Sequence, residues 1–191
     1  MENSSRSLEA PVADQFPARW SPRAWKDRIP EPESLRSLFE AARWAPSCYN
    51  AQPWYFVYSA DPEALPQFQQ LLVEGNQAWA NQAPVLGVAF ARRRFEHNGK
   101  DNAWAQFDTG AACMALALQA HAQGLSVHFM AGFDANRAPE ALGVDGEEYQ
   151  AMAAFAIGYR GDPASLPEDL REREKPSGRK AWTEIAREWK P

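Results

Sequence analysis

One connection in the sequence brings together polar side chains that hydrophobic packing does not require. Residues 45–54 read Ala-Pro-Ser-Cys-Tyr-Asn-Ala-Gln-Pro-Trp, which places Ser47, Asn50 and Gln52 within a single short segment. Hydroxyl, amide and backbone N–H groups in such a segment can bind the carbonyls and ring nitrogens of a planar heterocycle. The alternative is a turn in which the Asn and Ser side chains satisfy their own backbone, and the segment by itself leaves both open.

A helix and a strand are predicted on either side of this connection. Between residues 33 and 45, apolar side chains recur on one helical face, and Pro46 stops the helix. Residues 54–59 combine aromatic side chains with a valine, which is typical of a strand. The polar connection is therefore expected at a boundary where backbone groups are not all used by regular structure.

Helical and strand patterns alternate along the rest of the chain without an internal repeat. Asp61 is expected to cap a helix that runs to about Glu74, with Pro66 delaying or bending its first turn. A short helix and further strands are predicted, the helix at residues 134–142 and the strands at residues 84–91, 126–131 and 152–159. This mixture of elements predicts an α+β fold.

The longest predicted helix covers residues 102–122, and Gly124 ends it. One stripe of its apolar side chains repeats at steps of three and four residues and comprises Trp104, Phe107, Ala111, Met114 and Leu118. Because its other faces are also apolar, this helix is expected to be buried on more than one side. A core helix and a helix that also faces a second subunit both fit this pattern.

The bulk composition limits the classes of function. A chain of 191 residues with 45% hydrophobic content supports one buried core, and we expect a single domain at residues 19–191. A formal net charge of −5 argues against an extended nucleic-acid surface. The most apolar run, residues 111–118, is less than half of the ~20 residues that a membrane span needs. A soluble, cytoplasmic protein is therefore expected.

The two ends of the chain differ in composition from the rest of it. Residues 1–18 are polar and lack the apolar core of a secretory signal, so we expect a mobile lead-in. Residues 162–191 are charged and punctuated by proline. We expect this tail to run over a surface, of this chain or of a partner, without adding to the core. The charge run at residues 171–175 is expected to be a solvated face.

The two cysteines indicate neither a disulfide framework nor a metal centre. Cys48 and Cys113 have no spacing suited to zinc or to an iron–sulfur cluster, which fits a reducing cytoplasm. Use of Cys48 as a nucleophile would need a histidine base, and no recognisable signature surrounds His97, His121 or His128. We therefore expect no metal site and favour binding chemistry over thiol catalysis.

Residues 41–54 closely resemble the flavin-contacting motif of the nitroreductase-like family, in which a helix rich in Ala ends in Ala-Pro-Ser and continues to Asn-x-Gln-Pro-Trp. Three further matches occur in the order of that family. They are Arg-Trp-Ser-Pro-Arg at residues 19–23, a glycine-containing stretch at residues 124–134, and Gly-Arg-Lys at residues 178–180. The resemblance covers about residues 19–185.

The resemblance implies a nitroreductase-like fold, with a central, mostly antiparallel sheet flanked by helices, in a homodimer with an extended C-terminal tail. It also implies non-covalently bound FMN and a ping-pong mechanism in which hydride moves from NADH or NADPH to a small conjugated acceptor, such as a nitroaromatic or a quinone. Flavin N5 then carries the chemistry, so no side chain needs to act as a catalytic acid or base. Both subunits are expected to contribute to each flavin site.

The same resemblance assigns roles to individual residues. Arg19 and Ser21 match the pair that meets the FMN phosphate, and Arg23 matches a position near the pyrimidine edge of the flavin. In the tail, Arg179 and Lys180 match the position that returns to the phosphate. The other expected contacts with the cofactor are Trp20, Pro46, Ser47, Asn50, Gln52, Asn76, Ala131 and Gly132.

Ordinary structural roles are the alternative at several of these positions: a solvated basic segment for the arginines, a helix cap for Asn76 and a turn for Gly132. Two residues depart from the family pattern, since Ala131 stands where some members have glutamate and Trp79 where some have lysine. Two other functions are also open. One is a flavin sensor or store that turns over no nicotinamide, and the other is a specialised flavin enzyme of the same fold, such as a dehalogenase or a flavin-fragmenting enzyme.

Overall fold

A four-stranded sheet forms the centre of the protein in the computed structural model, which describes residues 6–190. The strands are β1 Trp54–Ser59, β2 Val85–Arg92, β3 Ser126–Met130 and β4 Tyr149–Gly158. They lie in the order β1-β2-β4-β3, and every neighbouring pair is antiparallel. The strands β1 and β3 are therefore the two edges of the sheet.

The helices pack on both faces of this sheet. They are α1 Gln15–Ala18, α2 Pro32–Arg43, α3 Leu65–Gln69, α4 Glu74–Ala80, α5 Ala105–Ala122, α6 Ala138–Ala141, α7 Glu168–Arg171 and α8 Trp182–Ile185. The two longest, α2 and α5, pack against each other. Gly124 ends α5 with a left-handed φ of +72°, a conformation that glycine adopts without a steric cost. None of the described helices is long and apolar enough to cross a membrane.

The strand β2 holds the core together because both of its faces are buried. Leu86, Val88 and Phe90 point into one hydrophobic cluster, which also contains Trp79. The alternate residues of β2 point into a second cluster that lies beneath α2 and α5. Gly87 fits this crowded strand because a Cβ atom at its position would overlap the ring of Phe155. The expected α+β fold and each of the four predicted strands are present.

The prediction of one helix from Asp61 to Glu74 is wrong. The carboxylate of Asp61 accepts a hydrogen bond from the N–H of Glu63 at 3.0 Å, but it caps only a turn. The helix α3 begins later and has five residues, with Pro66 in its first turn. Proline is tolerated there but not in a helix interior, so a helix that started at Asp61 could not continue through it. A separate helix, α4, begins at Glu74.

Within this chain, the helix α5 is buried on one face only. This excludes a helix that the core of its own chain surrounds, and burial of a second face against another subunit stays a prediction. Its inward face is built mainly from small side chains, so that the helix approaches α2 and the sheet closely; the buried residues are Ala105, Asp108, Thr109, Ala112, Leu116, Ala117 and Ala120. The predicted stripe of larger residues points away from the core. Trp104 is 57% exposed, Phe107 73% and Met114 40%.

The tail contributes more to the core than its composition indicates. Leu166 and Leu170 are buried in the same hydrophobic cluster as Trp79, which corrects the expectation that residues 162–191 only cover a surface. The expectation of a solvated face at residues 171–175 is also wrong at Glu174, whose side chain is 1% exposed. Residues 175–190 are mostly exposed, including the apolar side chains of Trp182, Ile185 and Trp189.

Candidate functional site

Residues 19–23, which we call the arginine segment, lie along the β3 edge of the sheet. The Nδ1 atom of His128, in β3, lies 2.9 Å from the carbonyl oxygen of Pro22. Just beyond the segment, Trp25 forms an isolated antiparallel bridge with Arg160, which follows β4. The guanidinium of Arg160 also lies over the ring of Trp20, 5.9 Å from its centroid. These contacts fix the backbone of the segment against β3 and the end of β4.

Arg19 lies in a cluster of positive charges. Burial, followed by the charges of Arg179 and Arg6, lowers the pKa of the Arg19 guanidinium. Its Nη1 atom lies 3.4 Å from the hydroxyl oxygen of Ser21. Its Nε atom is buried and has no hydrogen-bond partner among the described residues. A half-buried guanidinium beside other cations, with a donor left over, is suited to binding an anion such as a phosphate group.

The other two arginines of this cluster come from opposite ends of the chain. Arg6 donates hydrogen bonds from Nη1 to the carbonyl oxygens of Pro17 and Arg19, at 2.8 and 3.0 Å. In the tail, Nη1 of Arg179 donates to the carbonyl oxygen of Gly178 at 2.8 Å. Lys180 follows it on the same exposed stretch. No pattern in the sequence singles out Arg6, because it lies in the polar stretch expected to be a mobile lead-in.

Arg23 pairs with a buried carboxylate of the tail. One oxygen of Glu174 accepts hydrogen bonds from the backbone N–H groups of Arg23 and Ala24, at 2.7 and 2.9 Å. The other oxygen lies 3.8 Å from Nη1 of Arg23. The guanidinium of Arg23 also lies over the ring of Trp79, 5.9 Å from its centroid. Sequence reasoning missed Glu174, which nothing in the charge run distinguishes from its neighbours.

His128 lies between the arginine segment and Trp79. Its ring centroid is 4.4 Å from that of Trp79, and Trp79 in turn stacks on Trp25 at 6.5 Å. Burial lowers the pKa of His128 to about 4, and the charges of Arg23 and Arg19 act in the same direction against the hydrogen bond to Pro22. The imidazole is therefore neutral at physiological pH, and the positive charge in this region is carried by the arginines.

Asn76 and Gly132 come together at the end of β3. The side-chain amide of Asn76 donates a hydrogen bond to the carbonyl oxygen of Gly132 at 2.9 Å. A Cβ atom on Gly132 would lie 2.6 Å from the amide nitrogen of Asn76, so a larger residue there would displace the Asn76 side chain from this position. Asn76 lies inside α4 and is not its cap, and Ala131, next to Gly132, is exposed. These residues adjoin the arginine segment because both groups lie along β3.

Residues 46–53, which we call the Pro46 loop, form a strained connection between α2 and β1. The hydroxyl oxygen of Ser47 accepts a hydrogen bond from the N–H of Gln52, and the Gln52 amide donates to the carbonyl oxygen of Asn50. Three non-glycine residues have a left-handed φ: Tyr49 at 52°, Asn50 at 54° and Gln52 at 46°. Such residues cost about 1–3 kcal/mol each and are concentrated at ligand sites. The self-satisfied turn and the ligand-binding loop are thus compatible.

Asp108 connects the Pro46 loop to α5. Its carboxylate accepts a hydrogen bond from the N–H of Cys48 at 3.0 Å, and the residue is 4% exposed. Asp108 is the only acidic residue in α5, which contains no Lys or Arg, and this isolation is a signal from which it could have been found in the sequence.

The predicted site residues therefore form two groups at opposite edges of the sheet. The Pro46 loop leads directly into the edge strand β1, whereas the arginine segment and Gly132 lie at the other edge strand, β3. Three spacings of ~4.8 Å separate these edges, which gives roughly 14 Å across the sheet. Within residues 6–190 we find no group of three or more His, Cys, Asp and Glu side chains placed to hold a metal ion.

Comparison with known proteins identifies the family. The model of the Nitroreductase family matches residues 17–78 and 59–159. This chain belongs to the nitroreductase family. A provisionally named NADH dehydrogenase/NAD(P)H nitroreductase from Leptothrix cholodnii is 32% identical over 162 residues, which cover 75% of this chain and 81% of the relative. The resemblance noted in the sequence, and the expectation of an oxidoreductase of this family, are thereby confirmed.

Solved structures of this family share the fold. An oxidoreductase containing FMN is 40% identical, with a TM-score of 0.93 and coverage of 100% of this chain and 98% of that chain. A provisionally named nitroreductase from Desulfovibrio desulfuricans, in complex with FMN, is 25% identical, with a TM-score of 0.74 and coverage of 96% and 100%. The expected nitroreductase-like fold is therefore confirmed.

Proposed function

We propose that this chain is an FMN-dependent oxidoreductase that moves hydride from NADH or NADPH to a small conjugated acceptor in a ping-pong order. The observation that carries the proposal is the cluster at Arg19, where Arg179 and Ser21 converge and the buried Nε has no partner among the described residues. FMN bound to two relatives of the same fold supports the choice of cofactor.

The residues of the arginine segment fit the phosphate end of FMN. Arg19 supplies a half-buried fork of donors, Ser21 a hydroxyl, and Arg179 with Lys180 further charge from the tail. Trp20 and Arg23 continue the segment, and Asn76, Ala131 and Gly132 lie along the same edge of the sheet. Bound FMN would supply the two-electron chemistry, as acceptor and donor of hydride at N5. The protein would bind, orient and shield the reacting groups.

We propose that a homodimer completes each flavin site. The Pro46 loop lies at the opposite edge of the sheet from the arginine segment, so the Pro46, Ser47, Asn50 and Gln52 of one copy would meet the arginine segment of the other. Two exposed apolar surfaces support this: the α5 stripe with Trp104 and Phe107, and the tail side chains Trp182, Ile185 and Trp189.

Reconstitution tests the cofactor and the activity separately. The purified protein should be yellow, and the flavin released by acid should migrate as FMN on chromatography. A protein that contains FAD, or that stays colourless with added FMN, would contradict the proposed cofactor. Stopped-flow mixing with NADH or NADPH should then bleach the flavin band within seconds, and an added quinone should restore it. Slow or absent bleaching would instead support a flavin store or sensor.

A further inference from the structure

Glu174 is a buried carboxylate in an otherwise solvated charge run. Its side chain is 1% exposed, although Glu172 and Arg173 beside it are exposed. Its Oε1 atom accepts two backbone hydrogen bonds, from Arg23 and Ala24. Its Oε2 atom is buried, has no hydrogen-bond partner among the described residues, and lies 3.8 Å from Nη1 of Arg23. In the described part of the chain, the carboxylate of Glu174 thus attaches the tail to the arginine segment.

The two carboxylate oxygens of Glu174 have different partners: Oε1 accepts backbone hydrogen bonds, and Oε2 faces the guanidinium of Arg23. The backbone N–H groups need only a neutral acceptor, so the amide oxygen of a glutamine could take the place of Oε1. Among the described residues, Arg23 is the cation that pairs with the negative charge of Glu174. Burying a carboxylate is costly unless a cation compensates it. The retained charge therefore points to a role toward Arg23 beyond holding the backbone in place.

We propose that Glu174 is a positioning residue that holds the Arg23 guanidinium against Trp79 and offsets part of its positive charge at the flavin. This inference rests on the proposed function. A cation beside the flavin favours the reduced form, on which negative charge accumulates. A counter-charge on that cation weakens this preference. Glu174 should therefore keep the midpoint potential of the bound flavin lower than Arg23 by itself would set it.

The test is the midpoint potential of the FMN-loaded variant Glu174→Gln, with Glu172→Gln as the matched control. Both substitutions remove one negative charge from the tail, but Glu172 is exposed and makes no contact with the arginine segment in the described structure. For Glu174→Gln we expect the preference for reduced over oxidised FMN to rise about tenfold, which is about 30 mV for a two-electron couple. The control should stay at the value of the unmodified protein.

Hydrogen exchange in the apoprotein checks that Glu174→Gln preserves the backbone contact. The amides of Arg23 and Ala24 should remain protected, which would separate loss of charge from loss of structure. An unshifted potential, or a shift equal to that of the control, would overturn the inference. If Glu174→Gln does not fold, Glu174→Asp keeps the charge but withdraws it from Arg23, and it should raise the potential by a smaller amount. No shift in that variant would overturn the inference equally.

Failure of the inference and failure of the proposed function have different signatures. If the unmodified protein binds no FMN, the proposed function and the role of Glu174 are both wrong. If it binds FMN and is reduced by a nicotinamide while the Glu174 variants keep its potential, only the role of Glu174 is lost.

Discussion

The arginine segment and the Pro46 loop carry the two halves of the proposed flavin site, but the chain holds them in different ways. The arginine segment is attached to distant parts of the chain, to His128 in β3 and to Glu174 in the tail. Most hydrogen bonds of the Pro46 loop lie within the loop itself. Its described side-chain links to other parts of the chain are the hydrogen bond from Cys48 to Asp108 and the contacts of the Tyr49 ring with Phe95 and His97. Its backbone is also strained at three residues.

This difference shows what each half requires in order to bind a ligand. The arginine segment is preorganised by its own chain, so it can present an anion site without a partner. The Pro46 loop stores strain and lies roughly 14 Å away at the other edge of the sheet. In the proposed homodimer, the loop would meet the flavin that the arginine segment of a second copy binds. Substitutions that act on dimerisation, on phosphate binding, on the loop and on Arg23 should therefore have effects of decreasing size.

The largest effect is expected from Phe107→Glu, on the exposed stripe of α5. The side chain is 73% exposed, and a charge there would be buried without a partner in a dimer. We expect the variant to be a monomer at micromolar concentration, with FMN affinity reduced at least ~100-fold because half of each site is lost. Sedimentation and flavin titration measure the two effects.

The matched control is Phe107→Leu, which keeps an apolar side chain and should remain a dimer that binds FMN. A Phe107→Glu monomer that retains full FMN affinity would show that one chain suffices for the site. The division of the site between two chains would then be wrong.

The next largest effect is expected from Arg19→Gln. Its guanidinium is half-buried and has an Nε donor without a described partner, so its bonds to a phosphate should be strong. FMN affinity should fall about 10- to 100-fold, and Arg179→Gln should cost less because its side chain is exposed. The loss for Arg19→Gln corresponds to about 1.4–2.8 kcal/mol of binding free energy, and the loss for Arg179→Gln should be smaller.

Riboflavin, which lacks the phosphate, is the control ligand for both arginine variants. Its affinity should be unchanged, and so should the midpoint potential of bound FMN, because a phosphate contact is remote from the ring. Equal losses for riboflavin and FMN would remove these arginines from the phosphate site.

The sequence was most informative where local signals decide structure. The termination of α2 before Pro46 and the alternation of the strands follow from proline geometry and side-chain periodicity. The sequence indicates the apolar stripe on α5 but not whether that stripe faces the core or the surface. A repeating apolar pattern does not determine which face of a helix packs against the core when several faces are apolar. In α5 the inner face consists mainly of alanine, which allows close packing.

The site was predictable in its motifs and not in its long-range contacts. The arginine segment and the Pro46 loop are contiguous in sequence, so a resemblance could indicate them. Glu174 and Arg6 act through partners that are distant in the chain, and their neighbours have the same charge character. Only the tertiary fold separates Glu174 from Glu172. Asp108 is intermediate, because a lone acidic residue in an apolar helix is visible in the sequence.

A smaller effect is expected from Asp108→Asn, which removes the charge that accepts the N–H of Cys48. Charge-assisted hydrogen bonds are about twice as strong as neutral ones, so the strained Pro46 loop should become less ordered. We expect FMN affinity to fall about three- to tenfold, with the dimer retained. Hydrogen exchange at Cys48 should increase in parallel. Unchanged affinity together with faster exchange would show that the loop does not bind the flavin.

The smallest effect on affinity is expected from Arg23→Gln, which should act on the potential instead. Its guanidinium is paired with Glu174 and lies over Trp79, so removal leaves a buried carboxylate without its cation. Both the loss of the cation and the uncompensated negative charge of Glu174 disfavour the reduced flavin. A charge-assisted bond of ~1.5 kcal/mol corresponds to ~30 mV for two electrons, so the midpoint should fall by tens of millivolts. Reduction by the nicotinamide should slow accordingly.

The double variant Arg23→Gln with Glu174→Gln isolates the contribution of the pair. It removes both charges, so its potential should lie close to that of the unmodified protein, between the values of the two single variants. Redox titration against a reference dye measures all four proteins while FMN remains bound through Arg19 and Arg179. An unshifted midpoint in Arg23→Gln would show that the guanidinium is a purely structural partner of Glu174. The arginine segment would then anchor the phosphate without tuning the flavin.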